Sequence, residues 1–241
     1  ACASLCPRGC IQIKPDENGE LHPSIDEKKC VGCKKCIVNC PANNKLTFNS
    51  PMRVYASWRK KSEKMRDSAS GGVAAALSEI WIKQGGVVFG TKFDDSFHAL
   101  ICKEETLEGI EAFKGSKYVQ SYTGDSYNEV KKLLEQGRKV LYFGTPCQLA
   151  GLYAVVNRDA INLITVEILC HGVSSNEYLQ EQLKFIERDI HGIKYDNVTF
   201  RTNRWMMDFY FGLWNNDKVV FSQQAYENQY FRGFLTGLTL R

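Results

Sequence analysis

The sequence predicts an α+β or α/β protein of two unequal parts, a small cysteine-rich head and a larger mixed α/β body. Seven of its ten cysteines fall within the first 40 of 241 residues. Strand and helix patterns alternate from about residue 70 onwards, which is typical of a layered α/β domain. A hydrophobic content of 44% is sufficient to bury a core. We therefore expect a head over residues 1–50, a connector with a basic middle over residues 51–67, and a body over residues 68–241.

The head contains the segment CVGCKKCIVNCP at residues 30–41, with the spacing Cys-x2-Cys-x2-Cys-x3-Cys-Pro. This is the bacterial ferredoxin pattern for 4Fe–4S clusters, in which three close thiolates bind one cube and the fourth ligates another cube. The spacing predicts a bacterial-ferredoxin-like head. Zinc sites usually combine two Cys-x2-Cys pairs, and a zinc-bound interaction protein is the third of three alternatives.

The opening segment ACASLCP matches the end of an earlier copy of this pattern. Cys2 would be its third ligand and Cys6 its fourth, which crosses to the other cluster. One complete set of ligands then consists of Cys6, Cys30, Cys33 and Cys36. Cys2 and Cys40 would belong to a second cluster, so we expect a fragment that lacks its other two ligands, or a degenerate site. We expect Cys10 to pack as a small hydrophobic side chain.

The body is predicted element by element from its apolar periodicity. The helices are expected in GGVAAALSEIWIKQ, TLEGIEAF, SYNEVKKLLEQG, CQLAGLYAVV, NEYLQEQLKFIERDI and near QAYENQYFRGFL. The strands are expected in GVVFGTKF, FHALICK, RKVLYFG, INLITVEIL, VTFRT, FYFGLW and KVVFS.

The segment SASGG at residues 68–72 precedes the first helix of the body. A serine N-cap followed by two glycines leaves backbone amides open at the positive end of a helix, which suits a pyrophosphate. The alternative, which the sequence favours equally, is an ordinary capped helix start that binds no ligand. The segment GSKYVQS at residues 115–121 places Lys117 and Tyr118 in a loop, where a lysine is more often only solvated.

Two cysteines follow directly after predicted strands. Cys147 lies in GTPCQ after RKVLYFG, and Cys170 lies in CHGVSS after INLITVEIL. Ligand sites of open α/β sheets gather at the carboxyl ends of strands. We therefore expect both cysteines at one rim of the sheet, whereas Cys102, inside FHALICK, is assigned to the core.

The order of a cysteine-rich head, SASGG, GSKYVQS, GTPCQ and CHGVSS resembles the coenzyme F420 hydrogenase/dehydrogenase beta-subunit family, over nearly the whole chain. Coenzyme F420 is a deazaflavin hydride carrier. The resemblance implies a flavin-binding body, FAD and 4Fe–4S clusters as cofactors, and electron transfer between clusters and a hydride acceptor. It implies a position near the flavin or substrate phosphates for Ser68, Ser70, Gly71 and Gly72. It implies that Lys117 and Tyr118 line the flavin pocket.

The resemblance also implies a Cys-x2-Cys pair on the carboxyl side of the body, where this chain stops at Arg241. Our hypothesis is that Cys147 and Cys170 are two ligands of a third cluster next to the flavin. One departure concerns the run Arg-Asp-Lys followed by Gly-Trp, which here reads RTNRW at residues 201–205. Arg201 and Trp205 remain, so the hydride acceptor is expected to differ from the deazaflavin if that run contacts it.

The distribution of charge indicates which classes of partner the chain is expected to bind. The net charge of +4 forms no long basic stripe, so nucleic acid is not expected. The run WRKKSEKMR at residues 58–66 is expected to be a solvated face, or to dock an acidic redox partner or anionic coenzyme tail. No apolar run is long enough to span a membrane and no signal peptide is visible, and the cysteine usage favours the cytoplasm.

These features together predict a flavin-dependent iron–sulfur oxidoreductase. Its expected partners are a redox protein or subunit, together with a small-molecule hydride donor or acceptor. No catalytic residue is assigned. The second alternative is a non-catalytic electron-transfer subunit that carries 4Fe–4S clusters.

Overall fold

The structure is a computed structural model that describes residues 1–44, 50–60, 68–201 and 209–239. Part of the predicted basic connector, residues 61–67, lies outside the described residues, as does Trp205 of the RTNRW run. Within the described ranges, none of the helices combines the length and the hydrophobicity that crossing a bilayer requires.

The described residues of the head form two one-turn helices and a β-hairpin. The helices are α1 (Cys2–Leu5) and α2 (Lys35–Val38), and the strands are β1 (Ile11–Pro15) and β2 (Leu21–Ile25). The strands pair antiparallel, with Ile11 opposite Ile25. Asp16 shapes the turn, because its Oδ1 accepts hydrogen bonds from the N–H groups of Asn18 and Glu20, both at 2.9 Å. The hairpin was not predicted from the sequence.

The body alternates helices and strands as the sequence predicts. Its elements are α3 (Val73–Lys83), β3 (Val87–Phe93), β4 (Ala99–Glu104), a 3₁₀ helix (Gly109–Phe113), α4 (Ser126–Glu135), β5 (Val140–Gly144), α5 (Pro146–Tyr153), β6 (Leu163–Glu167), α6 (Asn176–Asp189), β7 (Asn197–Thr199), β8 (Tyr210–Asn215), β9 (Lys218–Gln224) and α7 (Gln229–Leu235). The helix expected in TLEGIEAF is present as the 3₁₀ helix rather than as an α-helix.

A four-stranded sheet forms the first half of the body. Its strand order is β4-β3-β5-β6, with β3, β5 and β6 parallel and β4 antiparallel. All five residues of β5 are buried, as expected for a central parallel strand covered on both faces. The carboxyl ends of β3, β5 and β6 therefore lie at one edge of the sheet, which we call the rim.

A second, three-stranded sheet forms the other half of the body. Its order is β7-β8-β9 and its strands are antiparallel. It shares a hydrophobic core with α6 and α7, in which Phe211, Tyr230 and Phe231 are fully buried. The two halves are joined at Asn176, whose Oδ1 accepts from the Ala99 N–H at 3.2 Å.

Among the described residues, the first residue of the head and its hairpin turn both contact the body. Ala1 packs against the core of the four-stranded sheet. The hairpin turn at Gly19 lies against the side chain of Glu177, near the start of α6. A Cβ atom at position 19 would collide with that carboxylate, and Gly19 also has a φ of +75°. The positive φ favours glycine at this turn, whereas the exposed Glu177 side chain can move away from a Cβ atom.

Candidate iron–sulfur head and sheet rim

Five cysteine side chains of the head line one cavity. They are Cys6, Cys10, Cys30, Cys33 and Cys36. The apolar part of the lining consists of Ile11, Ile25 and Val31, and three basic residues complete it, namely Arg8, Lys34 and Lys35. The complete ligand set expected from the spacing is therefore brought to one cavity, together with a fifth thiol. This donor set suits a soft iron–sulfur cube, which takes one thiolate per iron.

The backbone of residues 30–36 explains how three cysteines reach one cavity. Gly32 and Lys34 have left-handed φ angles of 66° and 59°. Left-handed residues separated by single residues curl the chain tightly, and such turns form concave nests of N–H groups that favour anions. Lys34, the N-cap of α2, adopts this left-handed conformation although it is not a glycine. The conformation is less favourable for lysine than for glycine. A thiolate-bound cluster is anionic and fits such a nest.

Asp26 connects Cys10, the residue before β1, with Cys30. The Asp26 N–H donates to the Cys10 carbonyl at 2.8 Å, and the Asp26 carbonyl accepts from the Cys30 N–H at 3.0 Å. The Lys29 ammonium lies 3.3 Å from the Asp26 carboxylate. Hydrogen bonding to Lys29 is the main cause that holds the pKa of Asp26 below its ordinary value. These contacts fix the hairpin against the cysteine loop.

Cys10 is buried, as the sequence analysis expects, but it also faces the other thiols. Its side chain is 4% exposed, and its Sγ lies 3.2 Å from the Cys6 Sγ. The hydrogen bond with Cys6, followed by burial, raises the pKa of Cys10 to about 11. The pKa of Cys6 is shifted downwards, chiefly by the backbone N–H of Cys10 and then by its thiol. The i,i+4 spacing of the two cysteines was the signal in the sequence for this contact.

Cys2 and Cys40 lie elsewhere in the head. Both thiols lie near the amino group of Ala1, where they oppose the lowering of its pKa by burial. The helices α1 and α2 also pack against each other. The structure thus brings together the two cysteines that the sequence analysis assigns to a second cluster.

Cys147 and Cys170 lie at the rim, as their positions after β5 and β6 predict. Gly144 pairs with Glu167 in the parallel ladder, and each cysteine follows its paired residue by three positions. Both side chains are exposed. The Cys147 Sγ lies 3.3 Å from the Thr145 Oγ1, and the Cys170 Sγ lies 3.4 Å from the Gly172 N–H. Cys102, expected in the core, is only half-buried, and burial raises its pKa.

Gln148 joins two of the sequence motifs at the rim. Its Oε1 accepts from the Thr145 N–H at 3.0 Å and completes the capping box of α5. Its Nε2 donates to the Ser121 Oγ at 2.8 Å, and Ser121 is the last residue of GSKYVQS. No role was predicted for Gln148, although the pattern Thr-x-x-Gln is a capping-box signature.

The segment CHGVSS at residues 170–175 is hydrogen-bonded to the same loop, residues 115–121. The Gln120 N–H donates to the Ser174 carbonyl at 2.8 Å, and the Asn176 Nδ2 donates to the Gln120 carbonyl at 2.7 Å. The segments 115–121, 144–148 and 170–175 therefore converge at one rim. This convergence is what a ligand site at the carboxyl ends of parallel strands requires.

Lys117 and Tyr118 face the protein itself in the described arrangement. The Lys117 Nζ donates to the carbonyls of Ala112 and Lys114, both at 2.8 Å, and burial lowers its pKa to about 7. The Tyr118 ring lies in an aromatic cluster, with its centroid 4.8 Å from Phe234 and 5.6 Å from Phe231. Both residues thus have structural contacts whatever else they bind.

The SASGG segment differs from the expected cap. The N-cap of α3 is Gly72, not a serine, because Ser70 has a left-handed φ of 51° and the helix begins at Val73. The connector backbone passes directly over the glycines. A Cβ atom at Gly71 would lie 2.6 Å from the Ser57 carbonyl oxygen. The predicted serine N-cap is therefore wrong, and close approach of the connector explains a glycine at position 71.

Arg59 fixes the connector to α3. Its N–H donates to the Gly71 carbonyl at 2.9 Å, and its Nη2 lies 2.9 Å from the Glu79 Oε1. Both side chains of this ion pair are largely buried. Part of the predicted basic run is therefore an anchor rather than a solvated face. Lys60, the next residue, is exposed.

Comparison with known proteins supports the assignment of the head. Residues 1–44 match the family described as 4Fe-4S dicluster domain. The hydrogenase-2 operon protein HybA of Escherichia coli O157:H7 is 29% identical over 92 residues, 38% of this chain and 27% of that protein. A probable iron-sulfur protein of the Frd operon of Proteus vulgaris is 33% identical over 51 residues, 21% of this chain and 29% of that protein. The matches thus span about a quarter to a third of these relatives.

A solved structure is also similar. It is the F420-reducing [NiFe] hydrogenase complex from Methanosarcina barkeri, at 19% identity and a TM-score of 0.48, with 72% of this chain and 62% of that chain covered. The predicted resemblance is confirmed for the iron–sulfur head, where the family match lies.

Proposed function

We propose that this chain is an iron–sulfur flavoprotein oxidoreductase, which passes electrons between 4Fe–4S clusters in its head and a flavin-linked hydride acceptor, coenzyme F420 or a related compound. The observation that supports it most is the cavity lined by the predicted cluster cysteines within the segment that matches a 4Fe-4S dicluster domain. A redox partner protein or subunit would exchange electrons with the head.

In this proposal, four cysteines hold the first cluster and two contribute to a second. The four are Cys6, Cys30, Cys33 and Cys36, and the two are Cys2 and Cys40. The left-handed turns at Gly32 and Lys34 would turn backbone N–H groups to the first cluster and stabilise its negative charge. The surrounding Ile11, Ile25 and Val31 would keep water away and so influence the reduction potential.

We further propose that FAD binds in the body at the rim. A flavin supplies the conversion between one-electron carriers and two-electron hydride chemistry. The convergence of segments 115–121, 144–148 and 170–175 supports this location. Ser68, Ser70, Gly71 and Gly72 would contribute to the phosphate region, and Lys117 and Tyr118 to the flavin pocket. For Gly71 and Tyr118, binding would require displacement of the connector or of an aromatic contact.

The exposed thiols at the rim extend the proposal to a third cluster near the flavin. Cys147 and Cys170 occupy equivalent positions after β5 and β6 and would supply two of its ligands. Iron counts on the protein reconstituted anaerobically with iron and sulfide test this point. Cys147→Ala should lower the iron content by about one cluster, and an unchanged iron content would exclude the third cluster.

Anaerobic purification with iron, acid-labile sulfide and flavin counts tests the whole proposal. We expect a brown protein whose denatured extract is yellow and absorbs at about 450 nm because of released flavin. Reduction trials with deazaflavin and nicotinamide donors would then identify the acceptor class. Zinc without acid-labile sulfide would refute the iron–sulfur assignment itself.

A second candidate function is a non-catalytic electron-transfer subunit. Tyr118 and Gly71 favour it, because both are explained by internal packing without a flavin. Iron and sulfide with a colourless denatured extract would decide for this candidate. The body would then serve as a docking scaffold for the partner.

A further inference from the structure

The thiol cavity contains one cysteine more than a cube can use. A 4Fe–4S cluster takes four thiolates, and the spacing assigns them to one set of residues. These are Cys6, Cys30, Cys33 and Cys36. Cys10 is the fifth thiol of the cavity, it is 4% exposed, and its Sγ lies 3.2 Å from the Cys6 Sγ. The buried position of Cys10 therefore needs an explanation other than ligation.

The backbone holds Cys10 in this position. Its carbonyl accepts the Asp26 N–H at 2.8 Å, and the next residue, Ile11, pairs with Ile25 in the hairpin. The contact with Cys6 is thus fixed by a sheet pair on one side and by the CPRGC turn on the other. In that turn the Gly9 N–H donates to the Cys6 carbonyl at 3.2 Å.

The roles of the two sulfur atoms follow from coordination chemistry. A cysteine that binds iron does so as a thiolate, so Cys6 has no proton to donate and can only accept. Cys10, which does not bind iron, keeps its S–H and is the donor of the pair. A hydrogen bond to a ligand sulfur withdraws electron density from it. It therefore stabilises the reduced cluster, which has the extra negative charge.

We propose that Cys10 is a positioning residue for the cluster, acting through Cys6: its S–H donates to the Cys6 sulfur and raises the reduction potential of that cluster. The inference rests on the proposed ligand set and names a residue outside it. It also explains why a cysteine, rather than an aliphatic side chain of similar size, fills this corner of the cavity.

The test uses the full chain, reconstituted anaerobically with iron and sulfide. The variants are Cys10→Ala, which removes the donor, Cys10→Ser, which keeps an O–H donor, and Cys102→Ala, a thiol deletion in strand β4 of the body. Iron and sulfide are counted first. The midpoint potential of the cluster is then measured by redox titration followed by EPR spectroscopy of the reduced state.

We expect full iron content in every variant. Cys10→Ala should lower the reduction equilibrium constant about tenfold, which is about 59 mV for one electron. Cys10→Ser should stay within about threefold of the wild type, and Cys102→Ala should not change. The midpoint potential distinguishes a hydrogen-bonding role from packing. Alanine and serine are similar in size and both are smaller than cysteine, but only serine keeps a donor.

Three results would overturn the inference. The first is a Cys10→Ala protein with full iron content and an unchanged or raised potential. The second is loss of a cluster's iron in both Cys10 variants, which would make Cys10 a ligand. The third is a wild-type chain that takes up no iron and sulfide, which would overturn the proposed function as well. The first two leave the proposed function standing.

Discussion

The rim depends on Gln148, and replacing it by alanine provides a direct test of the fold there. The side chain of Gln148 accepts a hydrogen bond from the Thr145 N–H at 3.0 Å and donates to the Ser121 Oγ at 2.8 Å and, more weakly, to the Ser121 carbonyl at 3.4 Å. Loss of a capping interaction costs about 1 kcal/mol. A further intramolecular hydrogen bond contributes about 1 kcal/mol. We therefore expect Gln148→Ala to destabilise the rim by about 2 kcal/mol.

Amide hydrogen exchange measured by mass spectrometry reports this change locally. Because 1.4 kcal/mol is a factor of ten in an equilibrium constant, peptides covering residues 115–121 and 144–148 should exchange on the order of thirtyfold faster. Gln136→Ala, at the exposed end of α4, is the matched control and should change exchange in neither peptide. Less than a threefold change in both peptides of Gln148→Ala would refute the view that Gln148 joins the two loops.

Three further changes test other parts of the structure. Phe211→Ala should lower the melting temperature by roughly 10 °C, because truncation of a fully buried Phe costs about 3–5 kcal/mol. Phe185→Ala, at a position that is 39% exposed, is the control and should lower the melting temperature far less. Gly71→Ala should speed tryptic cleavage after Arg59 several-fold, because a Cβ atom 2.6 Å from a backbone oxygen displaces the connector. An unchanged cleavage rate would contradict the packing of the connector on Gly71. Burial lowers the pKa of Lys117 from 10.5 to about 7, so between these values the unfolded chain binds a proton that the folded chain does not. The free energy of unfolding in urea should therefore rise from pH 7 to about pH 9.5, and Lys117→Met should reduce that slope.

Much of the body could be predicted from sequence because its patterns are local. The apolar run of β5 and the periodicity of α6 indicate a buried strand and an amphipathic helix without knowledge of their neighbours. The spacing of residues 30–41 likewise predicts its own chemistry. The family match to the head agrees with that spacing.

The features that were missed depend on tertiary contacts or on individual backbone angles. The hairpin β1–β2 has short, mostly exposed strands, so its apolar alternation is weak. The contact between Cys10 and Cys6 requires that hairpin and the Asp26 hydrogen bonds. The serine N-cap was wrong because Ser70 adopts a left-handed conformation that propensity does not predict. Flavin binding and the ligand roles of the cysteines stay predictions.

The position of β6 at the border of the four-stranded sheet has a consequence for the protein in concentrated solution. No other strand of the described residues pairs with its outer side, so its main-chain groups there can accept a strand from a second molecule. Ile161 and Leu169, at either end of β6, are 96% and 94% exposed and would favour such self-association. Aggregation through this border should therefore rise with protein concentration.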